Sequence, residues 1–263
     1  MLLIQAESIA KDYLLRGPLG GEHGRFTALA GLCLGLEAGE SLGIIGPSGS
    51  GKTTAARCLA GWMPPSRGRV LFEGFDLGAL SKAELRRRRR LFQLVVQDPL
   101  AALNPRLRVA AAVGEPLEIH ALARGEEVRH RVDDLLREVG LTADLGSRFP
   151  FQLSGGQRQR VGIARALAGE PKLLIADEPF ASLDSAARQG VQRVIECRRA
   201  ERQMALILIS HELSAVRRLV DRVIVLERGA VLRQGPTAEI LPRAERSRAA
   251  AESADWQEPL APV

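Results

Sequence analysis

Residues 46–53 read Gly46-Pro47-Ser48-Gly49-Ser50-Gly51-Lys52-Thr53, and they stand between an apolar run, Leu42–Ile45, and a helical pattern, Thr53–Ala60. The glycines let the main chain wrap so that successive N–H groups point at phosphate oxygens, and the start of a helix favours an anion. Lys52 adds a positive charge, and the hydroxyl of Thr53 is suited to bind Mg²⁺. The spacing predicts a phosphate-binding loop, and the alternative is an unrelated glycine-rich turn.

Apolar runs and helical patterns alternate along most of the chain. Apolar runs without polar alternation are typical of strands buried on both faces of a parallel sheet. They are Leu42–Ile45, Leu91–Val96, Leu173–Ala176, Leu206–Ile209 and Val223–Leu226. The helical patterns are Thr53–Ala60, Gly155–Ala168, Ser185–Arg199 and Leu213–Leu219. This alternation predicts an α/β fold with right-handed crossover connections.

Three regions depart from the alternation. Val109–Val139 is charged and helical without a strand pattern, so we expect a helical subdomain, about residues 100–155, inserted into a main domain of residues 1–241. Phe26–Leu36 and Val70–Phe72 predict a small antiparallel sheet. From about Pro242 the pattern dissolves, and residues 242–263 are expected to form a polar tail of frayed helix or disorder.

Composition excludes several classes of protein. The chain has 263 residues, of which 46% are hydrophobic and 26% charged, as in ordinary globular proteins. No apolar run approaches the ~20 residues of a membrane helix. The start, Met1–Glu7, reaches an acidic residue too early for a signal peptide. Three widely spaced cysteines, Cys33, Cys58 and Cys197, form neither a disulfide framework nor a zinc site. We expect any membrane association to come through a partner.

The net charge of +6 permits contact with nucleic acid or an anionic membrane without indicating either. Its most concentrated part is a run of five arginines, Arg86–Arg90. No aromatic residues are interleaved to stack on bases, and cations suit the C-terminal end of a helix. We therefore predict a solvated helix end and no nucleic-acid partner.

Two carboxylates follow the apolar run Leu173–Ala176. Asp177 and Glu178 stand at the carboxyl end of this predicted strand, where α/β sheets bind their ligands. Asp177 is suited to hold magnesium, and Glu178 is suited to orient an attacking water as a general base. The alternative is a solvated turn.

A second candidate anion site precedes the helical pattern that continues from Arg158. It reads Leu153-Ser154-Gly155-Gly156-Gln157. Ser154 is a favourable helix cap, and the two glycines leave the first N–H groups of the helix exposed. In isolation this would be an ordinary helix start, but it accompanies the phosphate loop and the paired carboxylates.

This ordered set of motifs resembles that of the ABC ATPases (ATP-binding cassette proteins), and the resemblance covers about Leu2 to Gly235. It implies a P-loop NTPase fold, the ABC cassette. This fold has a mainly parallel core sheet, a small antiparallel β subdomain and an inserted helical subdomain. It also implies an enzyme that binds ATP and Mg²⁺ and hydrolyses the ATP.

The resemblance assigns roles to individual residues. Tyr13 is similar to the aromatic residue that stacks on adenine, with a surface tyrosine at a strand end as the alternative. The phosphate loop extends to Thr54. Gln97 resembles the Q-loop glutamine, which contacts Mg²⁺ or water, and His211 resembles the switch histidine at the γ-phosphate. The implied catalytic residues are Glu178, His211 and Gln97, and the implied metal ligands are Thr53, Gln97 and Asp177.

The same resemblance implies partners. Two cassettes pack head to tail, so that the signature Leu153–Gln157 of one closes over the phosphate loop of the other. Ser182-Leu183-Asp184 resembles the D-loop at the seam between them. The second cassette is either a copy of this chain or a sister chain. The pair would bind transmembrane permease subunits at the cytoplasmic face of the membrane, with a substrate-binding protein acting indirectly.

The segment Gln97–Arg106 is similar to the region after the Q-loop in the oligopeptide, dipeptide and nickel importers. The alternative is a generic loop. Peptide-importer ATPases usually continue into a longer C-terminal segment with a His-Pro-Tyr-type motif, whereas Gly235–Leu241 here leads only to a short polar tail. This difference favours the nickel-type second ATPase of the branch, with other metal complexes or phosphonates also open.

Two other functions remain as alternatives. One is a soluble ABC ATPase in nucleic-acid metabolism, although such proteins usually carry two cassettes, a long coiled coil or zinc cysteines. The other is a scaffold with structural ATP in a metabolic complex, against which Glu178 argues because it is suited to turnover. The sequence thus favours an ATPase that energises a membrane importer.

Overall fold

The computed structural model of the chain describes residues 1–16, 22–98 and 103–242. Its strands are β1 (Leu2–Arg16), β2 (Glu22–Glu37), β3 (Ser41–Ile45), β4 (Arg67–Phe72), β5 (Phe75–Asp76), β6 (Phe92–Val95), β7 (Leu173–Asp177), β8 (Ala205–Ile209), β9 (Arg222–Glu227) and β10 (Ala230–Pro236). Its helices are α1 (Lys52–Leu59), α2 (Lys82–Arg88), α3 (Val109–Ile119), α4 (Glu126–Glu138), α5 (Gly155–Ala168), α6 (Ser185–Arg202), α7 (Leu213–Leu219) and α8 (Thr237–Ile240).

A six-stranded sheet forms the centre, in the order β10-β9-β3-β8-β7-β6. Neighbouring strands from β9 to β6 pair in parallel, and β10 runs antiparallel to β9 at one edge. Every residue of β3, β7 and β8 is buried, because helices cover both faces of a parallel sheet. The five apolar runs of the sequence are therefore confirmed as parallel strands. The antiparallel edge strand β10 was not predicted.

A second sheet of four antiparallel strands has the order β2-β1-β4-β5. Helix α1 shares one buried cluster with both sheets, and this cluster includes Ala55 and Leu59 of the helix, Ile44 of the central sheet and Phe72 of the smaller one. Helix α1 therefore packs into a core that the two sheets share. The predicted antiparallel sheet is confirmed.

Helices α3, α4 and α5 pack together on the opposite side of the central sheet. Val113, Val132, Leu136 and Val161 belong to a continuous buried cluster there. An ion pair of 2.7 Å between Arg165 of α5 and Glu115 of α3 adds to this packing. No strand interrupts residues 103–172, which agrees with the helical region predicted from Val109–Val139.

The arginine run ends helix α2, and Arg86, Arg87 and Arg88 occupy its last turn as expected. None of the helices within residues 1–16, 22–98 and 103–242 is long and apolar enough to span a membrane. Part of the segment Gln97–Arg106, residues 99–102, lies outside the described residues. The same holds for residues 243–263 of the predicted polar tail.

Candidate functional site

The carboxyl ends of β3, β7 and β8 open onto a cavity of about 710 Å³. The cavity brings together most of the residues singled out in the sequence. They are Tyr13, Gly46, Pro47, Ser48, Gly49, Gly51, Lys52, Thr53, Thr54, Gln97, Asp177, Glu178 and His211. Ser50 is the one residue of the predicted loop that does not line it, and it is 2% exposed. Residues more than 190 positions apart in sequence thus face one space, as expected where parallel strands end.

The loop between β3 and α1 can hold its shape only with glycine at two places. Gly46 has φ 149°, and a Cβ there would lie 2.0 Å from the carbonyl oxygen of Leu226. Gly51 has φ 103°, and its Cβ would lie 2.3 Å from the carbonyl oxygen of Ala28. Both contacts are with main-chain oxygens, so any side chain at these positions would force the neighbouring backbone to move. The two glycines therefore allow the loop to pack closely against β9 and β2.

Helix α1 begins without a side-chain cap. Its N-cap residue is Gly51, in the left-handed conformation, and no side chain accepts from the first turn. The first N–H groups of a helix have no partner within the helix and carry partial positive charge. The cavity at this end is therefore suited to an anion such as a phosphate.

Lys52 completes the positive side of the cavity. Its ammonium donates to the carbonyl oxygens of Gly46 and Pro47, each at 2.8 Å. Burial lowers the pKa of Lys52, and the negative charges of Glu178 and Asp177 partly offset that effect. The charge is thus held within the loop, close to two carboxylates.

Thr53 and Asp177 bring a hydroxyl and a carboxylate together. The Thr53 hydroxyl donates to the side chain of Asp177, which is 3% exposed. Burial raises the pKa of Asp177, and the nearby charge of Glu178 adds to the rise. The hydrogen bond from Thr53 and the positive charges of Lys52 and Arg57 oppose it.

These donors fit magnesium. Hydroxyl, carboxylate and the amide oxygen of Gln97 are hard oxygen ligands, and all three residues line the same cavity. Within the described part of the chain, no cluster of three or more His, Cys, Asp or Glu residues could hold a metal by itself. Magnesium is usually bound through one or two protein groups together with substrate phosphates, which matches this arrangement.

Glu178 is held at the edge of the cavity by main-chain and side-chain contacts. Its N–H donates to the carbonyl oxygen of Ile209 at 2.9 Å. Its Oε1 accepts from the N–H of His211 at 3.1 Å and lies 2.9 Å from the Nδ1 of the same residue. Glu178 has φ 50°, a left-handed conformation that is costly for this residue type. The carboxylate is therefore fixed in place, while the His211 side chain is 69% exposed.

Tyr13 and Phe26 form an aromatic side of the cavity. They are cross-strand partners in the antiparallel pair of β1 and β2, so their side chains lie on the same face. The Tyr13 hydroxyl donates to the sulfur of Met63 at 3.2 Å. Phe26 lies across from it and is 51% exposed.

Phe26, Ala28 and Arg57 line the cavity although the sequence motifs did not identify them. Phe26 could have been found only by pairing β1 and β2 in the correct register, which the sequence does not specify. Arg57 is one helical turn beyond Thr53, and that spacing places both on the same face of α1.

The signature and D-loop residues lie outside this cavity and next to each other. A Cβ on Gly156 would lie 2.8 Å from the carbonyl oxygen of Ser182, so the start of α5 packs directly on the D-loop main chain. Ser154 accepts from the N–H of Gln157 at 3.2 Å, and Gln157 Oε1 accepts from the N–H of Ser154 at 2.9 Å. Asp184 caps α6 by accepting from the N–H of Ala187 at 2.8 Å.

The five residues of the predicted signature are Leu153, Ser154, Gly155, Gly156 and Gln157, and the D-loop residues are Ser182, Leu183 and Asp184. Leu153 and Leu183 are buried at 4% and 5% exposure, and they anchor the two segments in the core. None of these eight residues lines the 710 Å³ cavity. Within one chain the predicted site therefore has two separate parts.

Residues 29–181 match the family model described as ABC transporter. Over 232 residues the chain is 39% identical to the oligopeptide transport ATP-binding protein AppF of Bacillus subtilis, covering 88% of this chain and 70% of AppF. Over 214 residues it is 40% identical to OppF of Salmonella typhimurium, covering 81% of this chain and 64% of OppF. The chain therefore spans less than the full length of both relatives.

The fold is similar to that of the ATP-binding cassette MJ0796, solved as a dimer in a post-hydrolysis state with ADP and Pi. The TM-score is 0.82 at 30% sequence identity, with 89% of this chain and 98% of the other covered. Such a score over nearly all of a solved cassette indicates that the two sheets and the helical region are arranged alike in both proteins.

Proposed function

Because this chain belongs to the ABC transporter family as an ATPase subunit, we propose that it binds ATP with Mg²⁺ in the 710 Å³ cavity and energises a membrane importer. One observation carries the proposal. The cavity joins an uncapped helix start, a lysine, a hydroxyl–carboxylate pair and a fixed glutamate, which together are what phosphoryl transfer to water requires.

In this proposal the first turn of α1 and Lys52 bind the β- and γ-phosphates. The uncapped N–H groups supply donors in a fixed arrangement, and the partly buried charge of Lys52 is close by. Tyr13 stacks on the adenine ring, and Phe26 extends the aromatic surface beside it. The base thus lies against the small sheet and the phosphates lie against the central one.

Thr53, Asp177 and Gln97 hold Mg²⁺ in this proposal. The ion supplies charge neutralisation at the phosphate oxygens when it is bound. Asp177 must be ionised to serve as a ligand. The positive charge of Lys52 and the hydrogen bond from Thr53 favour its ionised form against the effect of burial.

Glu178 acts as the general base. Its carboxylate accepts a proton from a water molecule as the water oxygen bonds to the γ-phosphorus, and the bond to the bridging oxygen of ADP breaks. His211 holds the carboxylate through its main-chain N–H and Nδ1 and is exposed enough to reach the γ-phosphate. The fixed position of Glu178 supports this role, since a general base must be within hydrogen-bond reach of the proton it removes.

A second cassette completes the site. The glycines of the signature lie at a helix start, away from this chain's own cavity, where they can bind the γ-phosphate of an ATP held by a partner cassette. The dimeric state of the MJ0796 structure supports this arrangement. The pair would sit at the cytoplasmic face of the membrane on permease subunits, with a substrate-binding protein acting through them.

Short peptides are the proposed cargo class. The names of AppF and OppF state oligopeptide transport for those proteins, and the similarity extends over most of this chain. The resemblance to the nickel-type second ATPase makes nickel the alternative cargo, and an uptake experiment distinguishes the two.

Uptake in whole cells tests the proposed function. Cells lacking this chain are complemented with the wild-type protein or with Glu178→Gln, and uptake of a labelled dipeptide, a labelled oligopeptide and labelled nickel is measured. We expect the wild type alone to restore peptide uptake. Restored nickel uptake without peptide uptake would assign the chain to nickel instead. Unchanged uptake of all three, with the protein copurifying with nucleic acid or soluble enzymes, would contradict the importer function.

A further inference from the structure

Gln159, the fifth residue of α5, carries a buried side-chain amide without hydrogen-bond partners among the described residues. Its side chain is 1% exposed, and neither Nε2 nor Oε1 has a hydrogen-bond partner among the described residues. A primary amide offers two donors and an acceptor with two lone pairs. Leaving all of them unused in a protein interior costs stability, so such groups are rare and require an explanation.

The amide lines a small cavity between α5 and β6. The cavity has a volume of about 20 Å³, and the residues around Gln159 are Gln93, Leu94, Val95, Val96, Gly162, Arg165 and Ala166. A water molecule needs at least about 10–15 Å³ of such space and two to four polar partners. The space is therefore large enough for one water, and the amide supplies polar partners for it.

Strand β6 supplies further partners. It is an edge strand, since β7 is its one neighbour in the sheet of the described residues. The main-chain groups on its outer side are therefore not used by a ladder of strand pairing. Helix α5 packs over the same strand. A water between them can bond both to the amide of Gln159 and to the strand.

Gly162 keeps the helix side of this cavity open. It stands three residues after Gln159, so the two lie on neighbouring positions of one helix face. A Cβ built on Gly162 meets no atom within 4 Å. Glycine in a helix interior is unfavourable by comparison with alanine, and here no close packing accounts for it.

The cavity lies between the two parts of the proposed site. The N-cap of α5 is Ser154, five residues before Gln159, and β6 ends at Val95, two residues before Gln97. The ion pair between Arg165 and Glu115 of α3 adjoins the same space, so the helical region is connected to it as well. A contact here can fix the signature helix relative to the strand that carries Gln97.

We propose that Gln159 binds one internal water molecule against β6 and so positions the signature helix relative to the Q-loop strand. Gln159 touches no substrate and is a positioning residue. The positioning part of this inference rests on the proposed roles of Ser154 and Gln97. The water site itself depends only on the geometry of α5 and β6.

Two variants test it in the full-length protein. Gln159→Met keeps the length of the side chain and removes the amide, and Gly162→Ala adds a methyl group to a residue that lines the cavity. Gly190→Ala in α6 is the matched control, because a Cβ there also meets no atom within 4 Å and the residue does not line the cavity. ATP turnover, nucleotide affinity and Tm are measured for all three.

We expect both Gln159→Met and Gly162→Ala to lower kcat about tenfold, as for a displaced reacting geometry, with KM for ATP and nucleotide affinity unchanged. Gly162→Ala should raise Tm less than Gly190→Ala does, because the gain from alanine in a helix is opposed by the loss of the water from the buried amide. Wild-type kcat in both cavity variants would overturn the positioning role. Absence of ATP hydrolysis in the wild-type protein would instead contradict the proposed function.

A crystal structure of the wild-type protein tests the water site independently of activity. At a resolution of about 1.5 Å, a water should lie within hydrogen-bond distance of the Gln159 amide and a main-chain group of β6. The water should be missing in Gly162→Ala. A Gln159 amide bonded directly to protein groups, with no water beside it, would overturn the proposal.

Discussion

The start of α1 and the start of α5 are both helix N-termini suited to an anion, yet the chain builds them differently. At α1, Gly51 provides no side-chain cap, and the cavity around it holds a lysine, two carboxylates and an aromatic pair. At α5, Ser154 caps the helix together with Gln157, and the glycines beside it pack on Ser182. The first is a pocket within one chain, and the second is a surface.

This difference shows that a full set of motifs in one chain need not give a complete site. The residues around α1 converge because β3, β7 and β8 end at the same edge of a parallel sheet. The start of α5 belongs to the helical region and has no such neighbours. Ser154, Gly155 and Gly156 do not line the cavity of this chain, which is why we propose that they bind a ligand held by a partner cassette.

The largest expected effect separates catalysis from binding within the pocket around α1. Glu178→Gln removes the proposed general base without changing side-chain size, so kcat should fall about 10²–10⁴-fold while ATP binding persists. The variant should accumulate a closed dimer in ATP, which size-exclusion chromatography detects.

The matched control is Glu170→Gln. Glu170 also has a left-handed conformation, with φ 51°, and it lies outside the cavity. Its substitution should leave turnover unchanged. Undiminished turnover in Glu178→Gln would remove Glu178 from the role of general base.

A second effect concerns the surface at α5. Ser154→Arg places a bulky cation where the partner's ATP would lie, so turnover should fall about 10²–10³-fold, as when a transition-state donor is lost. Nucleotide affinity of the isolated chain, measured by calorimetry, should stay within about twofold because Ser154 is outside the cavity.

Ser81→Arg provides the control for Ser154→Arg. Ser81 forms the same kind of capping box, with Glu84 at the start of α2. Both substitutions should lower stability by about 1 kcal/mol through the lost cap, but only Ser154→Arg should lower turnover. Loss of ATP binding in the Ser154 variant would contradict the two-chain site.

The smallest effect tests the aromatic side of the pocket. Tyr13→Ala should weaken ATP affinity by about 1–3 kcal/mol, the range of base–aromatic stacking, and Phe26→Ala should weaken it less because Phe26 is at the margin. Phe75→Ala, at a residue that is 47% exposed and outside the cavity, should leave affinity unchanged. Equal affinities in all three variants would show that adenine binds elsewhere.

Much of the fold could be predicted because its strands are buried on both faces. Such strands are continuous apolar runs, and β7 and β8 agree with the predicted runs to within one residue at each end. The bounds of α5 could also be predicted, because Ser154 and two glycines mark its start and apolar periodicity marks its length. Strand β10 was missed because most of its residues are exposed, so its sequence carries no apolar pattern.

Phe26 and Gln159 show that the sequence pattern does not determine where an individual side chain lies in the folded chain. Phe26 enters the cavity through the register of β1 and β2, which depends on irregularities along the pair. Gln159 reads as one more polar residue of an amphipathic helix. Its burial is decided by the packing of α5 on an edge strand far away in sequence.

The sequence by itself determined the chemistry available to this protein: a phosphate-binding loop, a paired Asp177 and Glu178 after a buried strand, and a serine–glycine helix start. These are local features, since each depends on main-chain geometry and side-chain type over a few residues. The tertiary structure decided which of them share a site. Convergence of parallel strand ends gathers Lys52, Asp177 and Glu178 into one cavity, and the packing of the helical region holds Ser154 apart from it.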